Sequence, residues 1–376
     1  MKRTIFLFSV LHLLATGFCH AQLTLVLREL PSETPLSTPI YVAGSFNDWQ
    51  TGDPAYALQR DEEGIYRLDL FPPIGQLEFK FTRGPWWTVE GDAEGRYRPN
   101  RSLFYDGLPQ TVELRIDSWE DTEQYGQSTA APNVHLISNA FRIPQLDRLR
   151  RIWIYLPPDY DHSSERYPVL YMHDAQNLFD RQTSFSGEWQ VDESLNQEEL
   201  PKLIVVGIDN GGEHRLDEYN PWTHPKYGGG EGDEFAAFVV ETLKPYVDRH
   251  YRTRPGREDT GIMGSSMGGL IAHYTAFAYP QVFGRVGIFS PSYWLADGVY
   301  QQVSEAGHAD GQTVYFIAGA NESSTLQAEL QRMESLLRQA GYPAEDLHLR
   351  FHPDGAHAEW YWAREFPGAV FWLYNR

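Results

Sequence analysis

The 376-residue chain carries a single cysteine, Cys19, so no disulfide framework can form within it, and a buried apolar core must hold it together. Neither an H-E-x-x-H motif nor a cysteine pair occurs, and His214, His224 and His352 share no metal-ligand spacing. The sequence therefore calls for no metal and no cofactor. Basic residues are scarce: 31 Lys and Arg stand against 51 Asp and Glu, a formal net charge of −20. Such a field repels phosphate and argues against general binding to nucleic acid or to an anionic membrane surface. Beyond the N-terminus no apolar run is long enough to span a bilayer, and no internal repeat or long low-complexity tract is present. Aromatic residues, by contrast, make up 14% of the chain and include 11 Trp, a supply that serves large cores and sugar stacking equally well.

The first 21 residues read as a leader. "MKRTIFLFSVLHLLATGFCHAQ" opens on basic Lys2 and Arg3, continues with an apolar run from Ile5 to Phe18 and places small Ala21 before Gln22. This is the layout of a secretory signal, with cleavage expected after Ala21 and a secreted or periplasmic product. Cys19 raises the alternative of a lipid-modified cysteine, which bulky Phe18 disfavours.

Residues 22–119 show short alternating runs ("LTLVLREL", "PIYVAGSF", "IYRLDLF", "LEFKFTR", "TVELRID") separated by Pro, Gly, Asp and Asn clusters, the spacing expected of a β-sandwich. "EDTEQYGQSTAAPN" (120–133) reads as a linker. From 134 to 376 apolar strands alternate with helical segments, which predicts a mostly parallel sheet with helices on both faces. The strands are "RRIWIYLP", "YPVLYMHD", "KLIVVGID", "TGIMG", "RVGIFSP", "TVYFIAGA" and "LHLRFHP". The clearest helices are "DEFAAFVVETLKPYVDRHY", "SMGGLIAHYTAFAYP" and "STLQAELQRMESLLRQAG". In such sheets the working residues lie in loops beyond the carboxyl ends of the strands. "KYGGGEGDEF" (226–235) lacks the Lys-Ser/Thr ending of a phosphate cradle and reads as a loop ahead of a helix.

One of those loops is "IMGSSMGG". Gly264-Ser265-Ser266-Met267-Gly268 fits G-x-S-x-G between a strand and a helix, which makes Ser266 a candidate nucleophile on a tight turn. The competing role is a plain helix N-cap. A serine hydroxyl needs a base, and the base an orienting acid, in the chain order Ser, acid, His. His357, in a Gly-containing loop after the last strand, is the candidate base; His352 and His273 read as structural. Glu322, just past "YFIAGA", is the favoured acid, with Asp354 as competitor. The oxyanion donors expected are the backbone N–H of Met267 and that of Ala175 or Gln176 in "YMHDAQNLFD", where Asp174 reads as a loop brace.

"YPVLYMHDAQNLFD", "GIDNGGEHRLDEYNPW", "TGIMGSSMGGLIAHY", "FSPSYW" and "DGAHAEWYW" together resemble the Putative esterase (esterase D-like) family of α/β-hydrolases. The resemblance runs from about residue 135 to the C-terminus. It implies an α/β-hydrolase fold and a triad of Ser266, Glu322 and His357. It further implies that Arg215, Glu218, Tyr219, Trp222 and Trp294 line or brace a substrate pocket. The family includes feruloyl and acetyl-xylan esterases, siderophore esterases and mycolyl transferases.

Residues 23–119 are in turn similar to starch- and glycogen-binding modules, through "YVAGSFNDWQ", "GIYRLDLFPPIGQLEFKFTRG" and "RPNRSL". By that similarity Trp49, Lys80 and Asn100 occupy glucose-contacting positions. A second stacking Trp is replaced by "VEGDAEG", with Trp86 and Trp87 nearby. The expectation from the whole chain is a secreted serine esterase acting on acetyl or feruloyl esters of carbohydrates, with a glucan or other polysaccharide at the N-terminal module. A trilactone siderophore esterase and a non-catalytic carbohydrate-binding protein are the alternatives.

Overall fold

The computed structural model describes residues 22–119 and 128–375, apart from 33, 36, 48, 62, 85–87, 94, 96, 97, 99, 185, 186, 321 and 324. The expected leader, residues 120–127 of the expected linker, and Trp86 and Trp87 lie outside the described residues. The chain forms two compact units, Met1–Thr122 and Glu123–Arg376.

Unit 1 is β-rich. Strands β1 (Leu23–Glu29), β2 (Tyr41–Gly44), β3 (Gln59–Arg60), β4 (Tyr66–Leu70), β5 (Gly75–Thr82), β6 (Glu90–Gly91), β7 (Arg101–Tyr105), β8 (Gln110–Arg115) and β9 (Ser118–Trp119) form three sheets. Their orders are β3-β4-β1-β8, β2-β5-β7 and β6-β9. Alternating apolar side chains meet in a core that includes Leu25, Val42, Phe79, Phe81, Tyr105 and Trp119.

Unit 2 is built on eight strands: β10 (Val134–Ile143), β11 (Arg148–Tyr155), β12 (Val169–His173), β13 (Ile204–Ile208), β14 (Thr260–Ser265), β15 (Arg285–Phe289), β16 (Thr313–Gly319) and β17 (Leu347–His352). Their order is β10-β11-β13-β12-β14-β15-β16-β17. From β13 to β17 every pairing is parallel, while β10 and β11 join antiparallel at one edge. Strands β12 to β16 are buried along their length apart from the first residue of β15, as their near-continuous Val, Ile, Leu and aromatic runs require of a sheet covered on both faces.

The helices are α1 (Val191–Leu195), α2 (Arg215–Glu218), α3 (Gly232–Ala237), α4 (Lys244–His250), α5 (Met267–Ala278), α6 (Gly298–Ala306), α7 (Leu326–Gln339) and α8 (Glu359–Tyr374). Two buried clusters flank the sheet: one packs α5, α6 and α7 through Leu270, Val299 and Leu330, the other packs α8 through Phe366 and Val370. The segment expected as one helix over 233–251 is α3 and α4 joined by a π-helical stretch, Phe238–Leu243. Pro245 explains the break: it has no N–H to offer the carbonyl four residues earlier, so the ladder widens ahead of it.

Residues 128–133, expected as linker, fall within unit 2 and bond to its other segments. Ser128 Oγ donates to Asp180 (2.7 Å), Thr129 Oγ1 to Glu188 (2.8 Å) and the Ala131 N–H to Asp192 (2.7 Å). Carboxylate oxygens of Glu188, Asp192 and Glu193 lie within 4.8 Å of one another. Burial lifts the Glu188 carboxyl to about 7 and pushes that of Asp192 well above the ordinary aspartate range, with neighbouring Glu193 adding to both.

Candidate active site

Ser266 sits where β14 turns into α5, with φ 57° and ψ −123°, a conformation that costs an L-residue on the order of 1–3 kcal/mol. The surroundings hold it there. Its N–H donates to the Phe289 carbonyl (2.9 Å), and its carbonyl accepts from Leu270 (3.1 Å) and Ser292 (3.0 Å). Flanking glycines permit the turn: a Cβ on Gly264 would stand 2.4 Å from the Gly268 carbonyl oxygen, and one on Gly268 would stand 2.8 Å from Asp174 Oδ2. The second contact also shows that the loop after β12 lies against the start of α5.

His357 comes from the loop between β17 and α8, and Glu322 from the loop after β16. The ring Nε2 lies 2.9 Å from Ser266 Oγ, and Nδ1 lies 2.9 Å from Glu322 Oε2. An ionised Glu322 accepts from Nδ1–H, which leaves the Nε2 lone pair to accept from the serine hydroxyl. The Glu322 side chain is 1% exposed and that of His357 45%, so the carboxylate is shielded while the imidazole is open to solvent. The second Glu322 oxygen accepts from Ser290 Oγ (2.7 Å) and from the Gly319 N–H. Trp362 donates its indole N–H to the same Ser290 Oγ (2.9 Å) and packs edge-on against the His357 ring at 5.0 Å.

Two loops must meet for this to happen. A Cβ on Gly319 would fall 2.1 Å from the Gly355 carbonyl carbon, and one on Gly355 would fall 2.6 Å from Gly319 Cα. Backbone therefore touches backbone between the acid-bearing and histidine-bearing loops. Gly355→Ala is expected to push them apart and lower kcat for a small ester by about tenfold or more, a steady-state assay being the check. A variant with wild-type kcat contradicts that role for the contact.

The competitor acid is elsewhere engaged. Asp354 is 67% exposed at its side chain and paired with Arg364, whose hydrogen bond holds the carboxyl below the ordinary aspartate range. His352 meets the Tyr361 hydroxyl (3.0 Å), and His273 is buried against the Tyr293 hydroxyl (2.6 Å), where burial lowers its pKa to about 3. Ala175 and Gln176 open a single 3-10 turn after β12, and Met267 opens α5. These are first-turn positions whose N–H groups have no intrahelical acceptor. Asp174, at φ 57°, is bound by Arg215 through Nε (2.7 Å) and Nη2 (3.0 Å) and by Asn210 (2.8 Å). Burial would raise its carboxyl pKa, but the guanidinium outweighs burial and holds it below the usual range.

The residues expected to line or brace the pocket divide. Trp294 is 58% exposed, two positions past Ser292, with Tyr227 edge-on at 5.5 Å. Trp222 is half-buried and stands perpendicular to Tyr274 (5.4 Å), its indole nitrogen so close to Gly298 that a Cβ there would clash with it. Together with Tyr274, Phe277 and Gln302 it lines a cleft of about 470 Å³ between α5 and α6. Of the two roles expected, lining or bracing the pocket, Glu218 and Tyr219 are placed for bracing, since both are fully buried. Glu218 accepts from Arg150 (2.7 Å) and Arg148 (3.0 Å), and the Tyr219 hydroxyl accepts the Asp174 N–H (3.3 Å). They brace the loop that carries Ala175. Arg215 is committed to Asp174 through two nitrogens, a different posture from a cation held free for an anionic ligand.

In unit 1, Trp49 is half-buried with φ 59°, and Asn100 is exposed with its amide donating to Glu78 (3.2 Å). Lys80 is 6% exposed, which corrects the expectation of an open sugar-contacting amine: on β5 its side chain is taken into the unit.

A serine hydroxyl, an imidazole and a shielded carboxylate joined by hydrogen bonds are an arrangement that suits acyl transfer. Residues 143–373 match the family model described as Putative esterase. An iron(III) enterobactin esterase of Dickeya dadantii is 26% identical over 345 residues, 80% of this chain and 71% of that protein. An endo-1,4-beta-xylanase/feruloyl esterase of Xylanibacter ruminicola is 23% identical over 52% of this chain and 25% of its own length. An alpha-amylase of Niallia circulans is 41% identical over 109 residues, 29% of this chain and 8% of that protein. The solved enterobactin esterase of Shigella flexneri superposes with a TM-score of 0.56 at 19% identity, covering 94% of this chain and 92% of that one, a likeness of fold. The chain therefore belongs to the Putative esterase family, with an α/β-hydrolase fold, and is a carboxylic ester hydrolase.

Proposed function

We propose that the protein is an exported serine esterase that removes acyl groups, acetyl or feruloyl, from carbohydrate through Ser266, His357 and Glu322. The observation that carries the reading is the pair of 2.9 Å contacts joining these three side chains at a strained turn. His357 Nε2 takes the hydroxyl proton as Ser266 Oγ bonds to the ester carbonyl carbon, and Glu322 stabilises the imidazolium. The N–H groups of Met267 and of Ala175 or Gln176 receive the oxyanion. Collapse expels the alcohol with the proton from His357. Water, deprotonated by the same ring, then attacks the acyl-enzyme and releases the acid.

A sugar ester as substrate draws support from three directions. Exposed Trp294, two positions past Ser292, and half-buried Tyr227 edge-on to it offer aromatic surface for a sugar ring. Relatives include a feruloyl esterase and, over 109 residues, an alpha-amylase. Arg215 is neutralised by Asp174, in a chain of net charge −20, which disfavours a highly anionic ligand. In this reading unit 1 binds polysaccharide, through exposed Asn100 and half-buried Trp49, and the leader directs export with cleavage after Ala21. The second reading, a ferric-siderophore trilactone esterase, is favoured by the enterobactin esterase match across 80% of the chain. Assaying the purified protein on acetylated xylan, feruloylated arabinoxylan and a catecholate trilactone separates the two. A carbohydrate ester is expected to exceed the trilactone in kcat/KM by about tenfold or more, and the reverse ranking overturns the substrate assignment.

A further inference from the structure

Besides His357, the Ser266 hydroxyl has a second neighbour: Ser292 Oγ, 3.2 Å away. Ser292 follows β15 in the segment "FSPSYW", is 4% exposed, and its hydroxyl has no other hydrogen-bond partner among the described residues. Its backbone N–H donates to the Ser266 carbonyl (3.0 Å), so the main chain ties it to the turn independently of its side chain.

Counting protons fixes the direction of the hydroxyl contact. With Nδ1–H given to Glu322, neutral His357 has only a lone pair at Nε2, and Ser266 must spend its single proton there. At the Oγ–Oγ contact Ser266 is then the acceptor and Ser292 the donor. We propose that Ser292 is a further catalytic residue, whose hydroxyl donates to Ser266 Oγ and stabilises the negative charge that grows on this oxygen as its proton leaves.

The inference rests on Ser266 being the nucleophile. In acylation the proton passes from Oγ to Nε2, an Oγ lone pair forms the bond to the carbonyl carbon, and the carbonyl π pair moves to its oxygen. Ser292 keeps its own proton throughout. In deacylation the C–Oγ bond breaks, the pair returns to Oγ, and His357 gives the proton back. Charge on Oγ is greatest between these bonded states, so the donated hydrogen bond is strongest near the transition states of both halves.

Ser292→Ala deletes the hydroxyl and leaves the backbone tie. It is expected to lower kcat on p-nitrophenyl acetate by about 10- to 100-fold, the effect of one hydrogen bond to a charged group, with KM within about twofold. Ser292→Thr retains the donor and is expected to recover kcat to within about fivefold of wild type. Ser292→Cys, of similar volume but a weak donor, carries the test if the alanine variant does not fold, and is expected at least about fivefold below wild type. Wild-type kcat in the alanine or cysteine variant, or equal losses in the alanine and threonine variants, overturns the role. Turnover surviving in Ser266→Ala is a separate result, and it defeats the nucleophile assignment instead.

Discussion

Ser266→Ala is expected to lower kcat for p-nitrophenyl acetate by about 10⁴-fold or more while the melting profile stays that of the wild type. The side chain removed is small, and the turn is held by main-chain bonds to Phe289, Leu270 and Ser292 that alanine keeps. What disappears is the only oxygen within hydrogen-bond distance of His357 Nε2 among the described residues. Alanine cannot donate a proton or form an acyl-enzyme, so any residual rate reflects oxyanion donors acting on attack by water. Undiminished turnover would mean that the hydroxyl takes no part in bond making.

The second large effect separates two carboxylates that chain order alone left in competition. Glu322→Gln is expected to cost about 10³- to 10⁴-fold in kcat, whereas Asp354→Asn stays within about threefold. The glutamine amide can donate to Nδ1, which favours the tautomer whose proton sits on Nε2, the wrong nitrogen for accepting from serine. It also removes the charge that stabilises the imidazolium. Asp354 sits on the same loop as His357 but turns to Arg364 at the surface, and losing that exposed pair costs little. Kinetics on the two variants decide the matter, and a larger loss from Asp354→Asn contradicts the assignment.

The route from sequence to site was short where chemistry and local pattern coincide. The seven apolar segments read from 150 onward form β11 to β17. The fold brings Ser266, Glu322 and His357 to one place because the strands that precede them, β14, β16 and β17, belong to one run of parallel strands whose carboxyl ends open at the same edge of the sheet. β10 was not legible: its run is broken by Ser138 and Asn139, and its pairing with β11 is irregular on both sides of Ser138. Its fit is set by the neighbouring strand, which local alternation does not encode.

Side-chain direction was the larger gap. Glu218, Tyr219 and Lys80 carry groups suited to ligand contact, yet the fold turns each inward, and a sequence pattern records residue type without recording which way it faces. The partners that fix Glu322 and Ser266 were also missed. Ser290, Ser292 and Trp362 are distant in sequence from the residues they touch and had no spacing to reveal them. A signal was present in "FSPSYW", where two serines close the strand beside β14.

The central claim is that one hydroxyl, at position 266, becomes covalently acylated. Treating the purified protein with a fluorophosphonate and locating the adduct by peptide mass mapping tests it most directly. The account predicts one equivalent of label on Ser266, loss of esterase activity in proportion, and no such labelling once His357 is replaced by alanine. Full inactivation with the label on another residue, or stoichiometric labelling of Ser266 that leaves turnover intact, would contradict it.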